Sequence, residues 1–302
     1  VSVGSFEVVT FRGQEFVVAK FDPGFTGPVT IQYRIADEEG LEDVGFAYAT
    51  IADYYGGELA GSPLVDYIEG NDLDETIHGY RSDDKVLAFG GDDRIETGEG
   101  NDVIEAGSGN DTIDAGDGAD EIYGGDGFDT VVFTGSNVGV RADLSTVIGQ
   151  GGFAQGDFYN GVEAFEGTAF SDTLGGDDAD NRLAGLGGND ELVGRAGNDT
   201  LEGGDGDDDL DGGEGADDLE GGEGRDTARY DGSNAGVQIS LAGGTATGGW
   251  AEGDTLTNIE NLIGTDFADD LTGDDAENVL SGGRGDDVLS GGAGNDTLSG
   301  GR

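Results

Sequence analysis

Residues 106–132 read AGSGNDTID AGDGADEIY GGDGFDTVV, one nine-residue pattern written three times in succession. The same frame fills residues 70–132 with seven copies, and it returns with seven copies at 167–229. A third block, at 264–302, holds four copies. Because repetition at a short fixed period is the signature of a stacked solenoid, this frame decides the fold.

Position 8 of the pattern is aliphatic, whereas positions 7 and 9 are mostly polar. This alternation predicts a three-residue strand with one side chain pointing inward, and the Gly-rich, acidic positions 1–6 predict a turn. Two copies would close one turn of the coil. The predicted fold class is therefore all-β, a solenoid in which short strands coil and successive turns stack at the strand spacing of a sheet. The inward residues are Ile77, Val86, Ile95, Ile104, Ile113, Ile122, Val131, Leu174, Leu183, Leu192, Leu201, Leu210, Leu219, Ala228, Leu271, Leu280, Leu289 and Leu298.

The composition excludes several kinds of partner. The 302 residues include 66 acidic and 13 basic side chains, which gives a net charge of −53. Such a chain repels nucleic acids and anionic membrane surfaces, and its apolar runs are too short for membrane insertion. The lack of Cys and the single histidine, His78, exclude Cys–zinc and multi-His sites. What the charge favours is the binding of cations.

The turn of each copy has the chemistry of a calcium site. Glycine at positions 1, 2 and 4 permits positive φ, which can aim several carbonyls at one point, and position 6 adds a carboxylate. A flexible set of oxygen ligands suits Ca²⁺. The predicted carboxylate ligands at position 6 are Asp84, Asp93, Asp102, Asp111, Asp120, Asp129, Asp172, Asp190, Asp199, Asp208, Asp217, Asp226, Asp269, Asp287 and Asp296.

These copies resemble the RTX (repeats-in-toxin), hemolysin-type calcium-binding nonapeptide. The resemblance implies a parallel β-roll in which the carbonyls of positions 2 and 4 and the position-6 Asp of one copy face positions 1, 3 and 5 two copies later. We expect about ten Ca²⁺ ions, mostly at the later copies of each block. The further ligands implied by the resemblance are Gly98, Gly100, Gly107, Gly109, Asn110, Asp117, Gly124, Asp126, Gly188, Gly197, Gly204, Gly206, Asp207, Gly212, Glu214, Gly221, Glu223, Gly283 and Gly285.

The first two copies of each block depart from the pattern. They lack glycine at position 4, where the residues are Leu73, Ser82, Phe170, Ala179, Phe267 and Ala276. Position 6 is Glu75, Asn181 or Asn278 in three of these copies. We expect them to be caps that begin each block, with Phe170 and Phe267 closing the apolar end of the coil, because solenoids need atypical ends.

Two inter-block β segments, 133–166 and 230–263, align with each other without a gap. Their alternating apolar residues predict that they cap one roll and open the next. Residues 1–60 contain four stretches of strong β-propensity and resemble part of a cadherin-like, immunoglobulin-type β-sandwich. Residues 61–69 are expected to be a linker into the roll.

Three classes of function fit these observations. The first is a calcium-folded structural or adhesive segment of a secreted bacterial protein, of adhesin, S-layer or matrix type. Its partners would be Ca²⁺ and cell-surface or matrix components, or other copies of itself. The second is the non-catalytic C-terminal region of a secreted protease, lipase or polysaccharide-modifying enzyme. The third, a disordered acidic calcium buffer, is disfavoured because a buffer does not need the regular aliphatic position 8.

No catalytic motif is present in the sequence, so we expect a segment that is not an enzyme. The resemblance implies type I secretion and an extracellular or cell-surface location. The chain has no Met and begins inside a strand-like stretch at Val1, so it is expected to be a piece of a longer exoprotein.

Overall fold

The computed structural model describes residues 58–146 and 149–301 and, upstream of them, the backbone of four strands. Strands β1 and β2 form one antiparallel hairpin, and β3 and β4 form another. The four strands expected in this region are thus present, and their membership of a cadherin-like module stays a prediction. These strands are β1 (Val3–Phe11), β2 (Gln14–Phe21), β3 (Gly27–Ala36) and β4 (Glu42–Ile51).

The rest of the described chain is a coil of short strands. Up to the end of the first block they are β5 (Glu58–Ala60), β6 (Tyr67–Asn71), β7 (Thr76–His78), β8 (Lys85–Gly90), β9 (Arg94–Glu96), β10 (Val103–Ser108), β11 (Thr112–Asp114), β12 (Glu121–Asp126) and β13 (Thr130–Val132). The first inter-block segment holds β14 (Arg141–Asp143), β15 (Phe158–Asn160) and β16 (Ala164–Glu166).

The second block and its inter-block segment follow. Their strands are β17 (Thr173–Gly175), β18 (Arg182–Gly187), β19 (Glu191–Ala196), β20 (Thr200–Asp205), β21 (Asp209–Glu214), β22 (Asp218–Glu223), β23 (Thr227–Arg229), β24 (Gln238–Ser240), β25 (Thr245–Thr247), β26 (Thr255–Thr257) and β27 (Asn261–Ile263). The third block holds β28 (Asp270–Thr272), β29 (Val279–Ser281), β30 (Val288–Ser290) and β31 (Thr297–Ser299). Three-residue 3₁₀ turns lie at Gly152–Ala154, Leu241–Gly243 and Gly249–Ala251.

Within a block, alternate strands pair in parallel and build two facing sheets. Strand β11 pairs with β9 and β13, whereas β10 pairs with β8 and β12. The register joins residues two copies apart, as in Ile104 with Ile122 and Leu201 with Leu219. This pairing is that of a parallel β-roll, so the fold predicted from the nine-residue frame is confirmed.

The roll begins earlier than Gly70. Strands β5 and β6 pair in parallel with β7 and β8, with Leu59 opposite Ile77 and Ile68 opposite Val86. The stretch 58–69, expected to end the sandwich and form a linker, therefore supplies a further turn. Its copy GSPLVDYIE keeps the acidic position 6 and the aliphatic position 8, but it lacks the glycines that make the later copies recognisable.

The inter-block segments do not close the roll. In the first segment β16 pairs with both β13 and β18, so one sheet runs through. On the other face β15 is the last strand after β12, and β14 begins a new sheet with β17. In the second segment β27 joins β23 to β29, and β25 pairs with both β24 and β26, so both sheets run through. The first segment therefore continues one sheet and replaces the other, whereas the second continues both.

The interior is filled by position 8. These side chains are completely or almost completely buried from Ile77 to Leu280, as predicted. Leu289 is only partly buried and Leu298 is 46% exposed, because no further described turn packs over them.

The prediction that two phenylalanines close the apolar end of the coil is wrong. Phe170 and Phe267 are each 46% exposed, since they lie at position 4 of a loop and outside the coil. In the first inter-block segment the interior is filled instead by Phe133, Tyr159 and Phe165, whose ring centroids lie 5.0–6.4 Å apart. None of the helices among the described residues has the length and apolar character needed to span a membrane.

Candidate metal sites

Loops two copies apart stack directly on one another. The backbone N–H of Gly109 donates to the carbonyl of Asp126 at 2.9 Å, and the N–H of Asp117 donates to the carbonyl of Gly98 at 2.8 Å. At position 5 the N–H of Phe128 donates to Asn110 Oδ1 at 2.9 Å. The predicted facing of one copy against the second copy after it is therefore present.

The position-6 aspartates form a ladder inside this stack. The backbone N–H of Asp93 donates to Asp111 Oδ1 at 2.8 Å, and the N–H of Asp111 donates to Asp129 Oδ1 at 2.9 Å. The second block repeats the bond, with the N–H of Asp190 donating to Asp208 Oδ1 at 2.8 Å. One oxygen of each carboxylate thus holds its own turn onto the preceding turn.

The second oxygen of most of these carboxylates is buried and lacks a hydrogen-bond donor. Asp102 and Asp120 are as buried as the other position-6 aspartates and make the same ladder bonds to the backbone of the preceding turn. A buried carboxylate oxygen without a partner is costly, and a bound cation removes that cost. The position-6 residues whose buried Oδ2 has no donor are Asp84, Asp93, Asp111, Asp129, Asp190, Asp199, Asp208, Asp217, Asp226 and Asp287.

A carbonyl oxygen from the next turn faces the same space. A Cβ built on Gly203 would collide with both Asp208 Oδ2 and the Gly221 carbonyl oxygen. One copy earlier, a Cβ on Gly194 would meet Asp199 Oδ2 and the carbonyl of Gly212 in the same way. A carboxylate of one turn and a carbonyl of the facing turn therefore converge, which is a donor set that fits Ca²⁺.

Burial raises the pKa of these carboxyl groups. Loss of solvent raises the pKa of Asp84 to about 8 and those of Asp93 and Asp199 to about 7. Neighbouring carboxylates raise them further, while backbone N–H donors oppose the shift. The ionised ladder is therefore unfavourable by itself at neutral pH, and a cation beside it would reverse that balance.

The opening loops of the roll, at 61–69 and 70–78, and the first two loops of the second and third blocks are different. The N–H of Thr168 donates to Asp172 Oδ2 at 2.6 Å, and its hydroxyl donates to Asp172 Oδ1 at 3.1 Å. Thr265 makes the same two bonds to Asp269. In these loops the backbone N–H of position 2 donates to a side-chain oxygen of position 6, which is an amide oxygen at Asn181 and Asn278 and a carboxylate oxygen elsewhere. The residues at position 2 of such loops are Ser62, Asn71, Thr168, Asp177, Thr265 and Asp274.

The other predicted ligands lie around the loop crests. The glycines at positions 2 and 4 stack so closely that a Cβ on Gly204 or Gly206 would hit a carbonyl of the preceding turn. The residues at positions 3 and 5 are exposed, although the side chains of Asn110 and Asp207 accept the backbone N–H groups of Phe128 and Arg225 in the facing loops. These exposed residues are Asn110, Asp117, Asp126, Asp207, Glu214 and Glu223.

No group of three or more His, Cys, Asp or Glu side chains within the described ranges could hold a metal ion by itself. The candidate sites therefore consist mainly of backbone carbonyls with one carboxylate each.

The structure also reveals four acidic residues that the nine-residue frame does not predict. Asp157 and Glu163 accept the backbone N–H groups of Asp120 and Asp129, each at 2.9 Å. Asp254 and Glu260 do the same in the second inter-block segment. They continue the ladder, but they lie 37 or 34 residues downstream instead of 18. The sequence signal that could have identified them is their recurrence, because Asp157 aligns with Asp254, and Glu163 with Glu260, in the gapless alignment of the two inter-block segments.

Comparison with known families agrees with this geometry. A search of curated proteins found no match to the chain. A family model described as the RTX calcium-binding nonapeptide repeat (4 copies) matches residues 69–104, 96–131, 166–201, 193–228 and 263–298. These matches cover more than half of the chain and coincide with the stacked loops. With its calcium-binding repeats folded as a β-roll, the chain belongs to the RTX calcium-binding nonapeptide repeat family.

Proposed function

We propose that this chain is a calcium-folded structural or adhesive segment of a secreted bacterial protein, of adhesin, S-layer or matrix type. RTX repeats imply a calcium-binding β-roll segment of a secreted protein. The observation that supports the finer proposal is that a parallel sheet continues through each inter-block segment, from β13 to β18 in the first and from β23 to β29 in the second. A roll extended by repetition, with candidate ion sites between its turns, suits a load-bearing or spacing element.

The ligands proposed are the open position-6 carboxylates and the carbonyls around them. Carbonyls at positions 2 and 4 join that carboxylate, and positions 1, 3 and 5 of the facing copy complete the site. Asp172 and Asp269 are not included, because Thr168 and Thr265 already occupy their carboxylates. About ten ions are proposed for the chain.

Calcium would supply the free energy of folding. Without it the stacked carboxylates repel one another, and three-residue strands bury too little surface to offset their ordering entropy. Binding free energy then becomes folding free energy. Circular dichroism should show residues 58–301 largely unfolded in excess chelator, and millimolar Ca²⁺ should restore the β signal. A full β spectrum in chelator would contradict the proposal.

A second pair of measurements separates the proposal from the enzyme-region alternative. The adhesive or structural function predicts calcium-dependent binding to bacterial cells or matrix, or self-association of the purified chain. If neither occurs, and the chain instead restores the fold of a secreted hydrolase when joined to it, the alternative replaces the proposal. The partial cadherin-like module, proposed for the region of β1–β4, can be deleted to identify its share of any binding.

A further inference from the structure

The last carboxylate of each of the first two blocks is buried without a nonapeptide to face it. Asp129 and Asp226 are both 0% exposed, and the Oδ2 atom of each has no hydrogen-bond donor. Two copies further on, the chain has already entered an inter-block segment. The nine-residue rule therefore provides no partner loop for either carboxylate.

The inter-block segments place a carbonyl oxygen where that loop would be. A Cβ built on Gly124 would collide with both Asp129 Oδ2 and the Gly161 carbonyl oxygen. In the second segment a Cβ on Gly221 would meet Asp226 Oδ2 and the Asn258 carbonyl oxygen.

This arrangement matches the one inside a block, where Asp208 Oδ2 and the Gly221 carbonyl face the space beside Gly203. Gly161 and Asn258 share a left-handed backbone, with φ of 62° and 52°. The two segments thus repeat the same local geometry with different residues.

A glutamate brings a second charge to the same place. Glu163 Oε2 accepts the N–H of Asp129 at 2.9 Å, and Glu260 Oε2 accepts the N–H of Asp226 at 2.9 Å. Each glutamate lies close enough to repel the buried aspartate of its own site. Two carboxylates that approach each other beside a carbonyl, with one oxygen lacking a donor, require a cation.

We propose that each inter-block segment completes a calcium site outside the nonapeptide repeats. The first takes its ligands from Asp129, the Gly161 carbonyl and Glu163, and the second from Asp226, the Asn258 carbonyl and Glu260. This inference rests on the proposed binding of Ca²⁺ within the blocks. The two ions would tie the end of each block to the segment that follows, so that calcium holds successive blocks together.

The other acidic residue in each segment provides a natural contrast. Tyr230 Oη donates to Asp254 Oδ2 at 2.9 Å, and Tyr159 Oη donates to Asp157 Oδ2 at 3.3 Å. A protein hydroxyl already occupies those carboxylates. Asp254 and Asp157 are therefore predicted to bind no ion, although they occupy the same ladder.

The test counts bound calcium in the full chain by equilibrium dialysis and atomic emission, at the free Ca²⁺ concentration that just saturates the wild-type protein. Asp226→Asn and Glu260→Gln should each lose one ion per chain, and the double variant should also lose only one. The amide oxygen that Glu260→Gln introduces can still accept the N–H of Asp226. Any loss of an ion in this variant therefore results from the removed negative charge and not from a lost hydrogen bond. Asp254→Asn should lose none.

Asp208→Asn, within the second block, separates this inference from the proposed function. If it loses an ion while Asp226→Asn and Glu260→Gln keep the wild-type number, the inter-block site is overturned and the proposed function stands. If Asp208→Asn also keeps every ion, the proposed function fails too.

Crystals of the wild-type chain grown with Ca²⁺ make the test independent of variant folding. Anomalous difference density between Asp226, Asn258 and Glu260, and at the equivalent place in the first segment, is the expected result. Density at the in-block loops without density at these two places would overturn the inference.

Discussion

The loops are of two kinds, which differ in the sign of the backbone φ angle at position 2. Where φ is positive, as at Gly107 and Gly204, the position-6 carboxylate keeps an open oxygen. Where a hydroxyl or amide residue holds position 2 without positive φ, its N–H closes that oxygen. Four non-glycine residues take the positive value at this position, namely Tyr80, Phe89, Leu186 and Arg195. Such strain costs about 1–3 kcal/mol and is typical of functional loops.

The carboxylate of Asp111 should matter far more than that of its neighbour Asp114. Asp111→Asn keeps an oxygen for the N–H of Asp93 but removes the charge beside the open space. The affinity of that site should fall at least about tenfold, which corresponds to about 1.4 kcal/mol. Asp114→Asn, at position 9, should leave calcium binding nearly unchanged. Calcium titrations followed by circular dichroism measure both, and equal effects would show that the nine-residue frame is misassigned.

Gly204, at position 2 of the fifth copy in the second block, leaves no room for a side chain. Gly204→Ala would place a Cβ against the Leu186 carbonyl at a φ of +108°. We therefore expect the free energy of unfolding to fall by about 1–3 kcal/mol. Gly187→Ala is the matched control, because the nearest atom to its Cβ would lie 3.7 Å away. It should change stability by no more than about 0.5 kcal/mol. Urea unfolding in saturating Ca²⁺ compares the two variants, and similar midpoints would contradict the close stacking.

On the scale of a single loop, each block begins with turns that carry their own donors. Thr168 bonds to Asp172 within one loop, whereas Asp190, one turn later on the same face, has an open Oδ2. The opening turns are thus held by hydrogen bonds at the place where the later turns keep an open oxygen for the proposed ion.

This difference predicts opposite outcomes for two matched variants. Asp172→Asn should leave the number of bound ions unchanged, and Asn181 shows that this position accepts an amide in the following copy. Asp190→Asn should lose one ion, because its carboxylate has no protein donor for Oδ2. Equilibrium dialysis of both variants gives the answer. Loss of an ion from Asp172→Asn would show that the Thr168 bonds do not replace the metal.

On the scale of the whole molecule, the roll is a one-dimensional stack in which each turn contacts only its neighbours. Damage should therefore spread over one or two turns and then stop. Each inter-block segment carries a sheet from one block to the next.

Ile113→Asp tests this locality. It places a charge in the coil interior, where Ile113 is 0% exposed, and should cost about 3–5 kcal/mol. Hydrogen exchange should increase in β9, β11 and β13 while β20 and β22 stay protected. Thr112→Asp, at the half-exposed neighbouring position, is the control and should change little. Loss of protection throughout the second block would show that the blocks unfold as one unit.

The sequence by itself determined the coil, the inward position 8 and the facing of loops two copies apart. A strict nine-residue period places residue Ile104 opposite Ile122 without any long-range information, because every turn has the same length. It also located the buried, stacked carboxylates of Asp111 and its equivalents, since the carboxylate recurs at the same step, and their role as calcium ligands stays a prediction. The sequence did not reveal the opening turn at 58–69, whose missing glycines hide the frame.

Only the tertiary structure decided how the repeats end. The partner of Asp129 is Glu163 and the partner of Asp120 is Asp157, at separations that no period predicts. The structure likewise decided which carboxylates are closed by protein donors, as Asp254 is by Tyr230 across 24 residues. The physical reason is that, in a repeat of constant length, the spacing along the chain alone determines which residues become neighbours in space. Where the repeat stops, packing of the intervening chain selects which donor or carbonyl reaches each buried charge.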